Sequence, residues 1–132
     1  MSDQNPFEAV MKMSQDWAKA MNVDLNAFTP KSFEALWPTM SKDTMEMFFG
    51  TGLNPGGLDA KTRLLLTLGG LNILGAQAEA QIRLTVRHLV EAGATKQEIA
   101  EAIAQSGMFG GVPAMTKAME LANEVLEKDE SA

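Results

Sequence analysis

The segment AKTRLLLTLGGLNIL, residues 60–74, sets the tightest constraint on what this chain can fold into. On a helical wheel Leu64, Leu65, Leu66, Leu68, Leu71, Ile73 and Leu74 fall on every side, and a helix apolar all round must be covered all round. Lipid is not the covering, because the charge-free run between Arg63 and Glu79 is shorter than the about 20 apolar residues that span a bilayer. Other helices must supply it. Gly69-Gly70 within the run costs about 1 kcal/mol per glycine relative to alanine, which predicts a second backbone in close approach there.

The flanking punctuation is helical throughout. Asp59 is placed to cap the 60–74 helix. A second helix over 77–92 ends at Gly93, and Thr95-Lys96-Gln97-Glu98 is a capping box that opens a third, carrying Ile99, Ala102 and Ile103. Gly110-Gly111-Val112-Pro113 breaks the chain again, with Pro113 suited to the first turn of a last helix. Its Ala114, Ala118, Leu121, Ala122 and Val125 share one face. No alternating run of β-branched or aromatic residues occurs, so the predicted fold class is all-α.

Composition divides the chain near residue 50. The first 49 residues hold seven of the ten Met and no Gly, whereas all eleven Gly lie from Gly50 onward. Residues 1–50 therefore read as a Met-rich helical extension and 51–132 as the helical core. Asn5-Pro6 starts an amphipathic helix with Phe7, Val10, Trp17 and Met21 near one face. Thr29-Pro30 offers a second start, and Ser41 caps a segment with Met45, Met47, Phe48 and Phe49. Met adapts to irregular surfaces and suits a ligand or partner contact; ordinary core packing of short helices is the simpler reading.

The 132 residues carry a net charge of −6, one His and no Cys. Disulfides, thiolate metal sites and cysteine nucleophiles are excluded, and a multi-histidine metal site would need several subunits. Neither a metal nor a cofactor is expected. Clustered Lys and Arg are missing, which argues against a nucleic-acid partner. The amino terminus has no basic region leading into an apolar one, so the expected location is the cytoplasm, with no membrane partner. The glycines of GTGLNPGG follow no strand and lead into no Lys-Ser/Thr, which excludes a phosphate-binding loop, and Ser106 has no nucleophile elbow around it.

One polar constellation stands out. Gln81, Thr85 and His88, at i, i+4 and i+7, fall within about 60° of one another on a face flanked by Ile82, Leu84 and Leu89. Polar groups on an apolar face cost free energy unless each finds a partner, so these three bind something, satisfy one another or line a subunit contact. His88 is the one side chain suited to proton exchange near neutrality and is the candidate general acid or base. A single histidine on such a face is also commonly a satisfied core or interface residue. Glu79 lies elsewhere on the wheel and reads as solvent-facing.

Three pieces at fixed spacing, GLD-x-x-TR from Gly57 to Arg63, EAGAT-x-x-EI from Glu91 to Ile99 and Q-x-x-x-F-x-GVPA from Gln105 to Ala114, carry a family likeness. Over residues 56–127 the chain resembles the carboxymuconolactone decarboxylase family, relatives of the alkylhydroperoxidase D-like proteins. The resemblance implies an alkylhydroperoxidase D-like helical fold in homo-trimers or homo-hexamers, with pockets near subunit contacts. It also implies cofactor-free loss of CO₂ from a small carboxylated lactone in aromatic catabolism. Where the decarboxylase pattern has His, Glu and Tyr, this chain has Thr85, Gln81 and Phe109, so each position has lost its ionisable group. The resemblance then leaves His88 as proton donor, Gln81 and Thr85 as hydrogen-bonding groups for a small carboxylate or lactone, and Phe109 as a cover keeping the pocket dry. The alternative is a non-catalytic binding or assembly protein on the same fold. Thiol-dependent peroxide reduction, the chemistry of the other branch, needs cysteines that this chain lacks.

Overall fold

The computed structural model describes residues 5–13, 16 and 38–131. The chain divides into two compact units, Met1–Leu36 and Trp37–Ala132. In the first, residues 6–13 are helical, opened by Asn5, whose Oδ1 accepts the Phe7 N–H at 3.0 Å. Phe7, Val10 and Met11 are exposed. The expectations for Trp17, Met21 and Thr29-Pro30 fall outside the described residues.

The second unit holds five helices: α1 (Lys42–Phe49), α2 (Ala60–Ile73), α3 (Glu79–Glu91), α4 (Lys96–Gly110) and α5 (Val112–Ser131). Among the described residues there is no strand, and the fold is all-α. Residues 37–50, grouped by composition with the amino-terminal segment, belong to this unit and supply its first helix.

Local chemistry sets the helix ends. Ser41 caps α1 by accepting the Thr44 N–H, and Asp59 caps α2 by accepting the Thr62 N–H at 2.8 Å. Thr95 and Glu98 form the full capping box of α4, each side chain accepting the other's backbone N–H. Gly93, at φ +93°, ends α3: its N–H reaches Val90 O while Ala94 N–H reaches Leu89 O, the paired bonds of a Schellman turn.

Helix α2 packs against α3 and α4, α5 packs against both of those, and α1 lies on α2. Leu68, Ile82, Val86, Leu89, Ile99 and Ile103 are essentially inaccessible in the shared core. Burying each such side chain contributes about 1.5–3 kcal/mol. The predicted face of α5, Ala114, Ala118, Leu121, Ala122 and Val125, is buried in the same core. Met45 is buried with Ala60 and Ala92 beneath α1, whereas Met47 and Phe48 of the same helix are exposed.

Two expectations for α2 need correction. A Cβ at Gly69 would meet only the Ser106 side chain, at 3.5 Å, and at Gly70 it would meet nothing within 4 Å. The backbone approach occurs at Gly110, where a Cβ would stand 2.8 Å from Asn72 O and 3.0 Å from Ile73 Cα. Helices α2 and α4 run side by side in the same direction, from Lys61 paired with Glu98 to Ile73 against Gly110, and the tight end of that seam falls on α4's glycine. Nor is α2 covered all round: Leu66 is 63% exposed and Ile73 46%.

Candidate functional site

The Gln81/Thr85/His88 stripe lies on α3, whose remaining faces meet α2 and α5. Thr85 and His88 are buried, at 7% and 5% exposure, while Gln81 is exposed. Partners for the two buried groups come from backbone. The Thr85 hydroxyl donates to the Gln81 carbonyl of its own helix at 2.7 Å. His88 Nδ1 lies 2.8 Å from Leu84 O, and Nε2 lies 3.2 Å from the Met40 N–H. A carbonyl can only accept and an amide N–H can only donate, so both contacts specify one tautomer: Nδ1–H donating to Leu84 and Nε2 accepting from Met40.

His88 is therefore a pin. It ties residues 38–41, which lead into α1, onto the carboxyl half of α3, and Met40 packs against the Met45, Ala60 and Ala92 cluster. To pass a proton to a guest molecule, Nε2 has first to release Met40, because its lone pair is already engaged.

Phe109 stands elsewhere. It is 74% exposed near the end of α4, next to the Gly110 that touches α2. The structure thus brings Thr85 and His88 together on one buried face and leaves the side chains of Gln81 and Phe109 in solvent. An open groove of about 570 Å³ lies between α2 and α4, lined by Leu65, Glu98, Glu101, Ala102, Gln105 and Met108. Its volume suits a small ligand, but two carboxylates on its wall oppose an anionic one, and no stripe residue lines it.

Glu79 belongs to a surface network. It accepts from Lys117 at 3.1 Å and from Arg83 at 3.4 Å, and Arg83 also reaches Glu124. The hydrogen bond and charge of Lys117, with Arg83, hold the Glu79 carboxyl below its ordinary range. This ties α3 to α5 and keeps Glu79 off the stripe.

Two polar features escaped the reading of the sequence. Asn72, fully buried on α2, donates from Nδ2 to Ile103 O at 2.9 Å and to Ser106 Oγ at 2.8 Å, joining α2 to α4. Glu46 Oε1 accepts the N–H of Thr51, its hydroxyl and the N–H of Ala60, fastening the loop after α1 to the start of α2. An amide within a leucine-rich run was the available signal for Asn72; Glu46 offered none in its local pattern.

Within the second unit, five helices with a capping-box hairpin between α3 and α4, and a polar stripe on α3, define a small all-α protein. The profile of the carboxymuconolactone decarboxylase family matches residues 38–124, and the chain belongs to that family. It is 51% identical over 128 residues to an uncharacterized 15.0 kDa protein of the nqo9-nqo10 intergenic region of Paracoccus denitrificans, covering 96% of each chain. It is 35% identical to the nitrosuccinic acid decarboxylase npaB of Metarhizium robertsii, over 64% of this chain and 61% of that one. It is also 37% identical to the 4-carboxymuconolactone decarboxylase of Acinetobacter baylyi, over 54% of this chain and 52% of that one. Among the described residues no helix is long and apolar enough to cross a membrane, and no group of three or more His, Cys, Asp or Glu is placed to hold a metal ion.

Proposed function

We propose that this chain is a binding or assembly member of the carboxymuconolactone decarboxylase family, a cytoplasmic homo-trimer or homo-hexamer in which the α3 stripe does structural work. The observation that carries this reading is the occupation of both His88 ring nitrogens by Leu84 O and the Met40 N–H. Decarboxylation needs a group that delivers a proton to carbon, and the three positions where the family pattern has ionisable side chains hold Thr85, Gln81 and Phe109. The test is CO₂ release from 4-carboxymuconolactone by the full-length protein, with the lactone's spontaneous loss as baseline. A rate at baseline agrees with this reading; catalysed release overturns it.

A second reading is favoured by two relatives, a nitrosuccinic acid decarboxylase and a 4-carboxymuconolactone decarboxylase. On it the protein is a cofactor-free carboxy-lyase for a small carboxylated lactone or related acid in aromatic compound catabolism. His88 is the proton donor after Met40 withdraws, Gln81 and Thr85 hold the substrate, and Phe109 excludes water. Catalysed release that disappears in His88→Ala, while that variant keeps its helical content, would establish this role.

A further inference from the structure

The groove between α2 and α4 holds about 570 Å³, and no residue of the α3 stripe lines it. Leu65 of α2 with Ala102 and Met108 of α4 make its apolar lining, and the charged side chains on its wall are Glu98 and Glu101. These two carboxylates differ in how far they are compensated. Glu98 has both oxygens engaged: Oε2 accepts from Lys61 Nζ at 3.0 Å and Oε1 from the Thr95 N–H at 2.9 Å. Glu101 Oε2 accepts from the Gln97 amide at 2.8 Å, a neutral donor, and among the described residues no cation pairs with it. One uncompensated negative charge therefore stands on the wall of an apolar groove.

Helix geometry sets the length of what fits. Glu101, Gln105 and Met108 stand at i, i+4 and i+7 of α4 and all line the groove, so about 10 Å of helix axis separates the carboxylate's residue from the methionine. From Glu101 to its end at Gly110, α4 carries no further charge. A matching molecule has one cationic end and an apolar body about 10 Å long. An anion is opposed by both carboxylates, and a second positive charge on the molecule would lie against the apolar lining without a partner. Met108, unbranched and polarizable, can mould itself to an alkyl or aryl body.

We propose that this groove binds a small amphiphilic monocation, an alkyl- or arylalkylammonium, with its ammonium on Glu101 and its apolar body against Leu65, Ala102 and Met108. The ion pair lies in solvent, so it fixes the direction of the ligand and adds modestly to affinity, while apolar contact supplies the rest. The site is separate from the α3 stripe and goes beyond the function proposed for it.

The test is titration of the full chain with n-octylammonium, n-octanol and n-octanoate, followed through the methyl NMR resonance of Met108. n-Octylammonium is expected to shift that resonance saturably and to bind about three- to fivefold tighter than n-octanol, the range of an exposed ion pair, with n-octanoate weaker than both. Glu101→Gln brings n-octylammonium down to the affinity of n-octanol. Gln105→Lys, which sets an internal ammonium one turn from Glu101, lowers it at least as far. Glu120→Gln, at an exposed carboxylate of α5, leaves it unchanged. All three substitutions are at exposed positions, and circular dichroism checks the fold of each. A Met108 resonance unmoved by n-octylammonium overturns the proposal, as does equal affinity for n-octylammonium and n-octanol. So does an equal loss in Glu120→Gln, which indicates attraction to the net charge of −6 rather than to Glu101. A Met108 resonance that shifts with protein concentration alone and is then insensitive to n-octylammonium also overturns it, because a second copy then fills the groove. None of these outcomes depends on CO₂ release, so this inference and the reading of the α3 stripe fail separately.

Discussion

His88 Nε2 accepts the backbone N–H of Met40 at 3.2 Å, across 48 positions of sequence, and this bond fastens the strap before α1 to α3. His88→Ala deletes it together with buried ring packing. The expected loss is about 2–4 kcal/mol in urea unfolding, with the Met40 amide becoming freely exchangeable with deuterium. Nitrogen NMR of the wild-type ring checks the geometry independently: the proton is expected on Nδ1, and a ring protonated on Nε2 contradicts the arrangement.

Asn72 and Ser106 form the polar link within the α2/α4 seam, and Asn72 Oδ1 has no partner among the described residues. Ser106→Ala removes one of the two acceptors of Nδ2 and is expected to cost about 1–2 kcal/mol. Asn72→Asp is far worse, about 3 kcal/mol or more, because it sets a buried carboxylate against the Ile103 carbonyl. Asn72→Leu removes the orphaned oxygen along with the link and should lie near neutral. Unfolding curves that fail to rank Asp below Ala and Leu would refute this account.

What was legible in the sequence was local. Ser41, Asp59, Gly93 and the Thr95/Glu98 box each complete their hydrogen bonds within a few residues, so residue type and spacing were enough. The buried face of α5 was legible because periodicity records burial directly. The polar stripe was legible as a face, but its partners were not. His88 is satisfied by the backbone of Met40, and a backbone N–H carries no residue identity for a pattern to show. Asn72 finds Ser106 34 positions away. The leucine-rich pattern of α2 called for cover on all sides, yet a single chain cannot say whether its own helices or another copy provide it.

Gly110 in the seam and Gly70 on the open side of α2 respond oppositely to alanine. At Gly110 the added methyl meets Asn72 O and Ile73 Cα, both backbone, so α2 and α4 must separate. Gly110→Ala is expected to lose about 1–3 kcal/mol. At Gly70 the methyl meets nothing, and the higher helix propensity of alanine is expected to add up to about 1 kcal/mol below the concentration of assembly. Thermal unfolding of the two variants tests the assignment, and equal shifts of the same sign would reject it.

Acid should act on this fold through its helix caps. Hydrogen bonds from Thr62 hold the Asp59 carboxyl below its ordinary 3.8, and the Thr95 N–H, followed by Lys61, holds Glu98 below its ordinary 4.5. A carboxyl more acidic folded than unfolded binds its proton more readily once the chain unfolds. Its stabilising contribution is complete above the unfolded value and is lost as pH falls through the folded one. Unfolding free energy is therefore expected to hold steady down to about pH 4.5 and to decline below it. Asp59→Asn combined with Glu98→Gln should flatten that decline, since neither amide titrates, while lowering the plateau, since the charges at the amino ends of α2 and α4 are gone. Added salt reproduces part of the lower plateau by screening Lys61 from Glu98, which lie 3.0 Å apart at the surface. A double variant whose stability falls with acid as steeply as the wild type's would show that other carboxylates govern the acid limb.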